Sequence, residues 1–305
     1  MSLLIVGSVA LDSVETKAGS VTDALGGSAL YFSWAASLLN PAQVVGVVGD
    51  DYPMAALDEV AARGVDISGI EQKAGESFRW AGRYSDDFTD RETLDTRLGV
   101  FAEFNPTIPA SFTDAKYVFL GNIHPALQLN VLDQIENPFL VVCDTMNFWI
   151  DGERETLLEL LGRIDVLMVN DSEAIQLSGE SNVYRAANWI LDKGPRTAVI
   201  KQGAYGAFLV DDGKVFYAPA LPLEEVVDPT GAGDSFAGGF MAHVARSNDL
   251  SHETLRQAMV YGATMGAFAV ERFSVERFGE ISTRDVEERV QKFADLVRFE
   301  IETAG

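Results

Sequence analysis

The residues with the strongest claim to chemistry lie in one run, Asp228-Pro-Thr-Gly-Ala-Gly-Asp-Ser-Phe-Ala-Gly-Gly-Phe240. Gly231, Ala232 and Gly233 can turn tightly while presenting backbone N–H groups, with Thr230 and Asp228 just before them. A helix is predicted to start at once, and its free amides and dipole make an anion site. Asp234 is the odd residue there, because a carboxylate beside an anion hole repels a resting phosphate. It makes sense as the acceptor of a proton from a hydroxyl that attacks a phosphoryl group. The plainer alternative is an N-terminal helix cap. The run is not a GxxxxGK[ST] loop, and no GxGxxG follows the first strand. Ser235 lacks the GxSxG context of a hydrolase nucleophile.

Three further groups fall where strands should end. Asn170 and Glu173, three residues apart at the start of a helix, can orient waters around Mg²⁺ or simply cap that helix. Lys201 stands before Gly203 and Gly206, in a turn that either admits a nucleotide or only leads into a hairpin. Asp12, with Gly26 and Gly27, offers a carboxylate that can accept two hydroxyl donors, as a sugar or polyol supplies. Asp50 and Asp51 are candidate caps for the next helix. His124, His243 and His252 are scattered, and no His/Cys spacing signals zinc.

The elements that must hold these groups alternate. Apolar strands are predicted at the start of 3–13, before a glycine turn, at 43–51 with its acidic turn, and at 117–122, 138–145, 165–170 and 196–203, with helices between them over 28–39, 54–64, 126–135, 153–164, 171–179 and 184–194. A hairpin follows at 206–220, then a long helix inside GAGDSFAGGFMAHVAR, and acidic helices such as 283–300 close the chain. Near-continuous apolar strands between helices argue for a mostly parallel sheet covered on both faces. Ligands bind beyond the carboxyl ends of such strands, where Asp12, Asn122, Asp144, Asn170 and Lys201 are expected. Between 66 and 104 the texture changes. Phe78, Trp80, Gly82 and Tyr84 alternate with Ser77, Arg79, Ala81 and Arg83, the pattern of an antiparallel layer. That layer is a candidate lid or dimer surface.

The chain has 305 residues, 47% hydrophobic and 23% charged, enough for a buried α/β core. The net charge of -23 repels nucleic acid, so no nucleic-acid partner is expected. An anionic nucleotide binds such a chain only where amides and a cation offset the field. No apolar run reaches the roughly 18–20 residues a membrane span needs, and the first residues lack a basic leader pattern. The lone Cys143 lies in an apolar strand pattern. These features favour a cytoplasmic protein without a membrane partner.

Taken in order, Asp12, Gly26-Gly27, Asn170/Glu173, Lys201 and DPTGAGDSFAGGF closely resemble the ribokinase-like, or PfkB, family of carbohydrate and nucleoside kinases, over essentially the whole chain. The resemblance implies a three-layer α/β/α fold with a mostly parallel central sheet and a small antiparallel β lid. It implies one kinase domain over 1–305, with the lid formed by about 12–25 and 70–104. ATP and Mg²⁺ are the implied cofactors, with a monovalent cation in many such sites. The implied reaction moves the γ-phosphoryl group of ATP to a hydroxyl of a small sugar-like substrate, a nucleoside or an inositol being the alternative. Asp234 would be the base and Gly231, Ala232 and Gly233 the anion hole. Asn170, Glu173 and Asp228 would serve Mg²⁺ and phosphate. Lys201, Gly203, Gly206, Thr230, Ala263 and Ala267 would line the nucleotide site. Asp12, Gly26, Gly27, Tyr31, Arg79 and Asn122 would face the acceptor. Tyr31 departs from the asparagine of many sugar kinases and implies a flatter or bulkier substrate. The lid also implies a homodimer. Two rivals remain at this stage: a non-catalytic nucleotide or sugar sensor, and a dinucleotide oxidoreductase, which the absent GxGxxG disfavours.

Overall fold

The computed structural model describes residues 1–298. Seven strands form a parallel run: β1 (Leu3–Val6), β4 (Gln43–Val48), β5 (Asp66–Gln72), β8 (Tyr117–Leu120), β9 (Leu140–Asp144), β10 (Val166–Asn170) and β11 (Thr197–Lys201). The hairpin β12 (Ala207–Asp211) and β13 (Lys214–Ala218) adds antiparallel to β11. The sheet order is β13-β12-β11-β10-β9-β8-β1-β4-β5. Alternate residues of β1 enter opposite cores: Leu3 and Ile5 one, Leu4 and Val6 the other. Burial on both faces is why these strands read as unbroken apolar runs.

One face carries α1 (Ser28–Ser37), α8 (Ala232–Ser247) and α9 (His252–Ala269). The other carries α3 (Pro125–Asp133), α5 (Arg154–Leu161), α6 (Asp171–Ser178) and α7 (Val183–Leu191). Helix α8 lies between α1 and α9. A β-carbon on Gly238 would sit 2.4 Å from Phe32 O, and one on Gly239 2.8 Å from Tyr261 O. The two glycines therefore allow backbone-to-backbone approach on both sides, which fixes the amino end of α8. The last helix, Thr283–Val297, ends before Phe299 and Glu300, which lie outside the described residues.

The second sheet has the order β3-β2-β6-β7. It comprises β2 (Ala10–Thr16), β3 (Gly19–Gly26), β6 (Phe78–Tyr84) and β7 (Arg91–Arg97). The pairs β2/β3 and β6/β7 are antiparallel hairpins, joined by a parallel β2/β6 register. Two expectations shift here. The stretch 66–72 pairs in parallel with β4 as the edge of the large sheet, and 99–103 forms a short 3₁₀ turn, so the strands of the small layer run over 10–26 and 78–97. Asp12 does not follow the first strand but lies within β2, in the small layer itself.

Candidate active site

The anion loop is built by backbone geometry. Gly231 is the N-cap of α8 at φ 72°, a left-handed conformation suited to glycine. Ala232, Gly233 and Asp234 are the first three residues of the helix, so Asp234 stands in the first turn and is not the cap. Burial and the Asp144 charge push Asp234 up to about 7, against Lys201 and Arg91. A carboxyl group with that acidity suits proton abstraction near neutral pH.

Lys201, at the carboxyl end of β11, points at this loop. A β-carbon on Gly233 would fall 3.1 Å from Lys201 Nζ. The ammonium lies 3.3 Å from Asp144 Oδ2, with the two side chains 15% and 10% exposed. Burial pulls the lysine down, but Asp144, Glu173 and Asp234 outweigh it and raise its pKa, so it stays charged. Asp144 ends β9 and is the unassigned member of this group. Its only sequence signal is its place at a strand's carboxyl end.

Asn170 and Glu173 form a reciprocal capping box on α6. Glu173 N–H donates to Asn170 Oδ1 and Asn170 N–H to Glu173 Oε2, both at 2.8 Å. The cap reading is therefore correct as far as it goes. Yet Glu173 is buried, and burial together with Asp144 raises its pKa. No group of three or more His, Cys, Asp or Glu that could hold a metal occurs among the described residues.

The opposite wall holds Asp12, 5% exposed. Burial and the charges of Asp228 and Asp234 push it up to about 7. A β-carbon on Gly26 would fall 2.1 Å from Asp12 Oδ2, and Gly27, at φ 91°, would meet Ser8 O at 2.5 Å. The diglycine is thus a steric requirement of the Asp12 position. Tyr31, on α1, is 2% exposed, and its hydroxyl works against the burial that raises the Asp12 carboxyl. Its ring packs on Gly231, where a β-carbon would be 2.3 Å from Cδ1. Tyr31 therefore fills space between the diglycine and the anion loop. Asp228 is 1% exposed, accepts from Thr230 N–H at 2.8 Å and Ser274 N–H at 3.4 Å, and has no ion-pair partner among the described residues.

The small sheet reaches this loop. Thr230 Oγ1 bonds Tyr84 Oη at 3.3 Å, and Thr16 Oγ1 donates to Val227 O at 2.8 Å. Other expected residues are engaged elsewhere. Arg79 donates to Asp51 at 2.6 Å and Asp23 at 3.2 Å, bracing the small sheet on the loop after β4. Asp51 also accepts from Ser77 and does not cap α2 (Met54–Ala61), whose N-cap is Pro53. Asn122 donates to Met146 Sδ at 3.1 Å and accepts from Trp149 Nε1 at 3.0 Å. Gly203 and Gly206 take φ 53° and 109° in the turn after β11. Ala263 and Ala267 lie one turn apart on α9, which packs along α8.

The model of the pfkB family of carbohydrate kinases matches residues 3–278. The chain belongs to that family. A cytidine kinase of Thermococcus kodakarensis is 30% identical over 256 residues, 82% of this chain and 91% of its own. A nucleoside kinase of Methanocaldococcus jannaschii, described as an archaeal member of the ribokinase family, superposes with a TM-score of 0.76 at 20% identity, covering 96% of this chain and 99% of that one. A putative ribokinase II of E. coli in complex with ATP and Mg²⁺ superposes at 0.75 and 21% identity, covering 96% and 100%. The protein is an ATP-dependent kinase that phosphorylates a hydroxyl of a sugar-like acceptor. No helix among the described residues is long and apolar enough to cross a membrane.

Proposed function

We propose that Asp234 takes the proton of the acceptor hydroxyl while the amides of Gly231, Ala232 and Gly233, with Lys201, hold the charge of the transferred phosphoryl group. The observation that carries this reading is Asp234 at the amino end of α8, at about 7, with Lys201 Nζ against Gly233. Fixed donors in a partly dry site stabilise developing charge without reorganising. Asp12, opposite, suits an acceptor hydroxyl pair. Glu173 and Asn170 would hold Mg²⁺ through water, and the ion would offset charge on the nucleotide phosphates. Asp228, buried without a cation, suits a monovalent ion near the loop. The Asp234→Asn variant tests the core of the proposal. Turnover should fall on the order of 10²–10⁴-fold, with ATP binding by calorimetry nearly unchanged. Near-normal turnover would remove Asp234 from the role.

For the acceptor we favour a riboside, in line with the cytidine kinase relative. A free sugar is the second reading. ADP release across nucleosides, pentoses, hexoses and inositols decides between them. The small sheet would act as a lid within a single kinase domain, and its exposed edge β7 suits pairing with a second copy. A monomeric mass by light scattering at working concentration excludes that dimer. A cytoplasmic enzyme fits the acidic chain and its one buried thiol, and cell fractionation tests it.

A further inference from the structure

Phe78, Trp80, Gly82 and Tyr84 of β6 share one face of the small sheet, and the Tyr84 hydroxyl on that face meets Thr230 Oγ1 of the anion loop. Trp80 stands directly opposite Asp12 in the β2/β6 register. Paired residues on neighbouring strands share a face, with the strands about 4.8 Å apart. The Asp12 carboxyl and the Trp80 indole therefore enter the same space from one wall.

The indole is held flat. A β-carbon on Gly82 would fall 2.2 Å from Trp80 Cη2 and 2.3 Å from Cζ2, so the ring lies along the strand over the bare glycine. Its Nε1–H donates to Thr93 Oγ1 at 3.3 Å, and Thr93 is opposite Gly82 on β7. The sheet backbone thus covers one π-face, while the side chain as a whole stays half-buried. The Arg91 guanidinium reaches the ring from the Tyr84 row, the end far from Asp12. At 5.4 Å from the ring centroid it lies outside the about 3.5–4.0 Å of a stacked contact. What remains is a fixed apolar plane beside a carboxyl group that accepts hydroxyl donors.

We propose that Trp80 selects the acceptor: its indole stacks on the planar base of a riboside whose sugar hydroxyls Asp12 holds. The inference rests on the riboside reading given above and names the residue that reads the base. A free sugar presents hydroxyls to Asp12 but no planar π-face to the indole. Every base has such a face, so stacking chooses nucleosides over sugars without choosing among bases. Neither Tyr31 nor Asn122 offers the same plane, since the Tyr31 ring is packed on Gly231 and Asn122 is bonded to Met146 and Trp149. The stack is made equally before and during transfer, so it acts on binding and its loss raises KM.

The test measures ADP release with the best nucleoside of the panel and with free ribose, in the wild type, Trp80→Phe and Trp80→Leu. Trp80→Leu should lower the ratio of the two kcat/KM values about 5–150-fold, the scale of one base stacked on an aromatic side chain. The change for the nucleoside should lie in KM. Trp80→Phe should restore most of the ratio. Nucleoside binding should alter the indole fluorescence of the wild type far more than that of Trp80→Phe, in which Trp34, Trp149 and Trp189 remain. A ratio within threefold of wild type in Trp80→Leu overturns the proposal and leaves the riboside reading intact. So does an equal loss on both acceptors, or a loss that tracks Tm, because Trp80 would then only cover Gly82. A panel in which sugars or inositols release ADP and no nucleoside does removes the riboside reading, and the role of Trp80 with it.

Discussion

The ring of Tyr31 lies on the α-carbon of Gly231, so close that a β-carbon there would sit 2.3 Å from Tyr31 Cδ1 and Cγ. Gly231 also holds φ 72°. Gly231→Ala therefore meets both a clash and a disfavoured backbone, a cost of about 1–3 kcal/mol for the strain alone. A Tm several degrees lower and a deep loss of turnover are expected together. Thermal unfolding and ADP release read the two, and a variant unchanged in both would mean the Tyr31 ring is not wedged there.

The raised carboxylates set opposite demands on stability and turnover. Asp234 and Asp12 sit at about 7 in the folded chain against the usual 3.8. Between those values the folded state binds more protons than the unfolded one, so their contribution to stability falls as pH rises through about 7. Turnover runs the other way, since the base must be ionised, and kcat/KM should fall as pH drops below about 7. Asp234→Asn should thus be inactive yet more stable at pH 8, by about 1–2 kcal/mol, with the gain shrinking by pH 5. Unfolding of the two single asparagine variants across pH 5–8 separates Asp234 from Asp12. A destabilised Asp234→Asn at pH 8 contradicts the electrostatic account.

Lys201 is the cation among Asp144, Glu173 and Asp234. Lys201→Met leaves the Asp144 carboxylate without its partner, and breaking a mostly buried pair costs about 3–5 kcal/mol. Adding Asp144→Asn should recover much of that stability while turnover stays low, because the phosphoryl charge still lacks its cation. Denaturant midpoints of the two variants check this. Recovery of activity in the double variant would make Lys201 a purely structural residue.

Glu173 serves two roles that glutamine can separate. Its cap on Asn170 N–H needs only an oxygen, whereas a Mg²⁺ role needs charge. Glu173→Gln should keep its Tm within about a degree or two and need several-fold more Mg²⁺ for half-maximal rate, while Glu173→Ala should also lose about 0.5–2 kcal/mol of helix capping. Mg²⁺ titrations at fixed ATP decide the point, and a Gln variant with a wild-type Mg²⁺ requirement leaves only the cap.

The candidate chemistry near Gly231–Asp234 could be proposed from the sequence because its parts are local. Backbone amides, a helix start and a carboxylate all fall within a few residues. The strands were equally legible, since burial on both faces leaves an unbroken apolar run such as Leu3–Val6. The small sheet was only half legible: alternation pointed to β6 and β7 but not to β2 and β3, and 66–72, read as part of the same layer, pairs with β4 instead. Strand partners are chosen by long-range pairing, which no local pattern records.

By itself the sequence determined the anion loop, its candidate base and the layered parallel sheet, because each follows from spacing along the chain. Only the tertiary structure decided which charges meet. It drew Asp144 to Lys201 across 57 positions of chain and Arg79 to Asp23 and Asp51. It also brought Tyr84 of the small sheet onto Thr230 of the loop. Electrostatic pairing depends on distance through space, and the fold alone sets that distance.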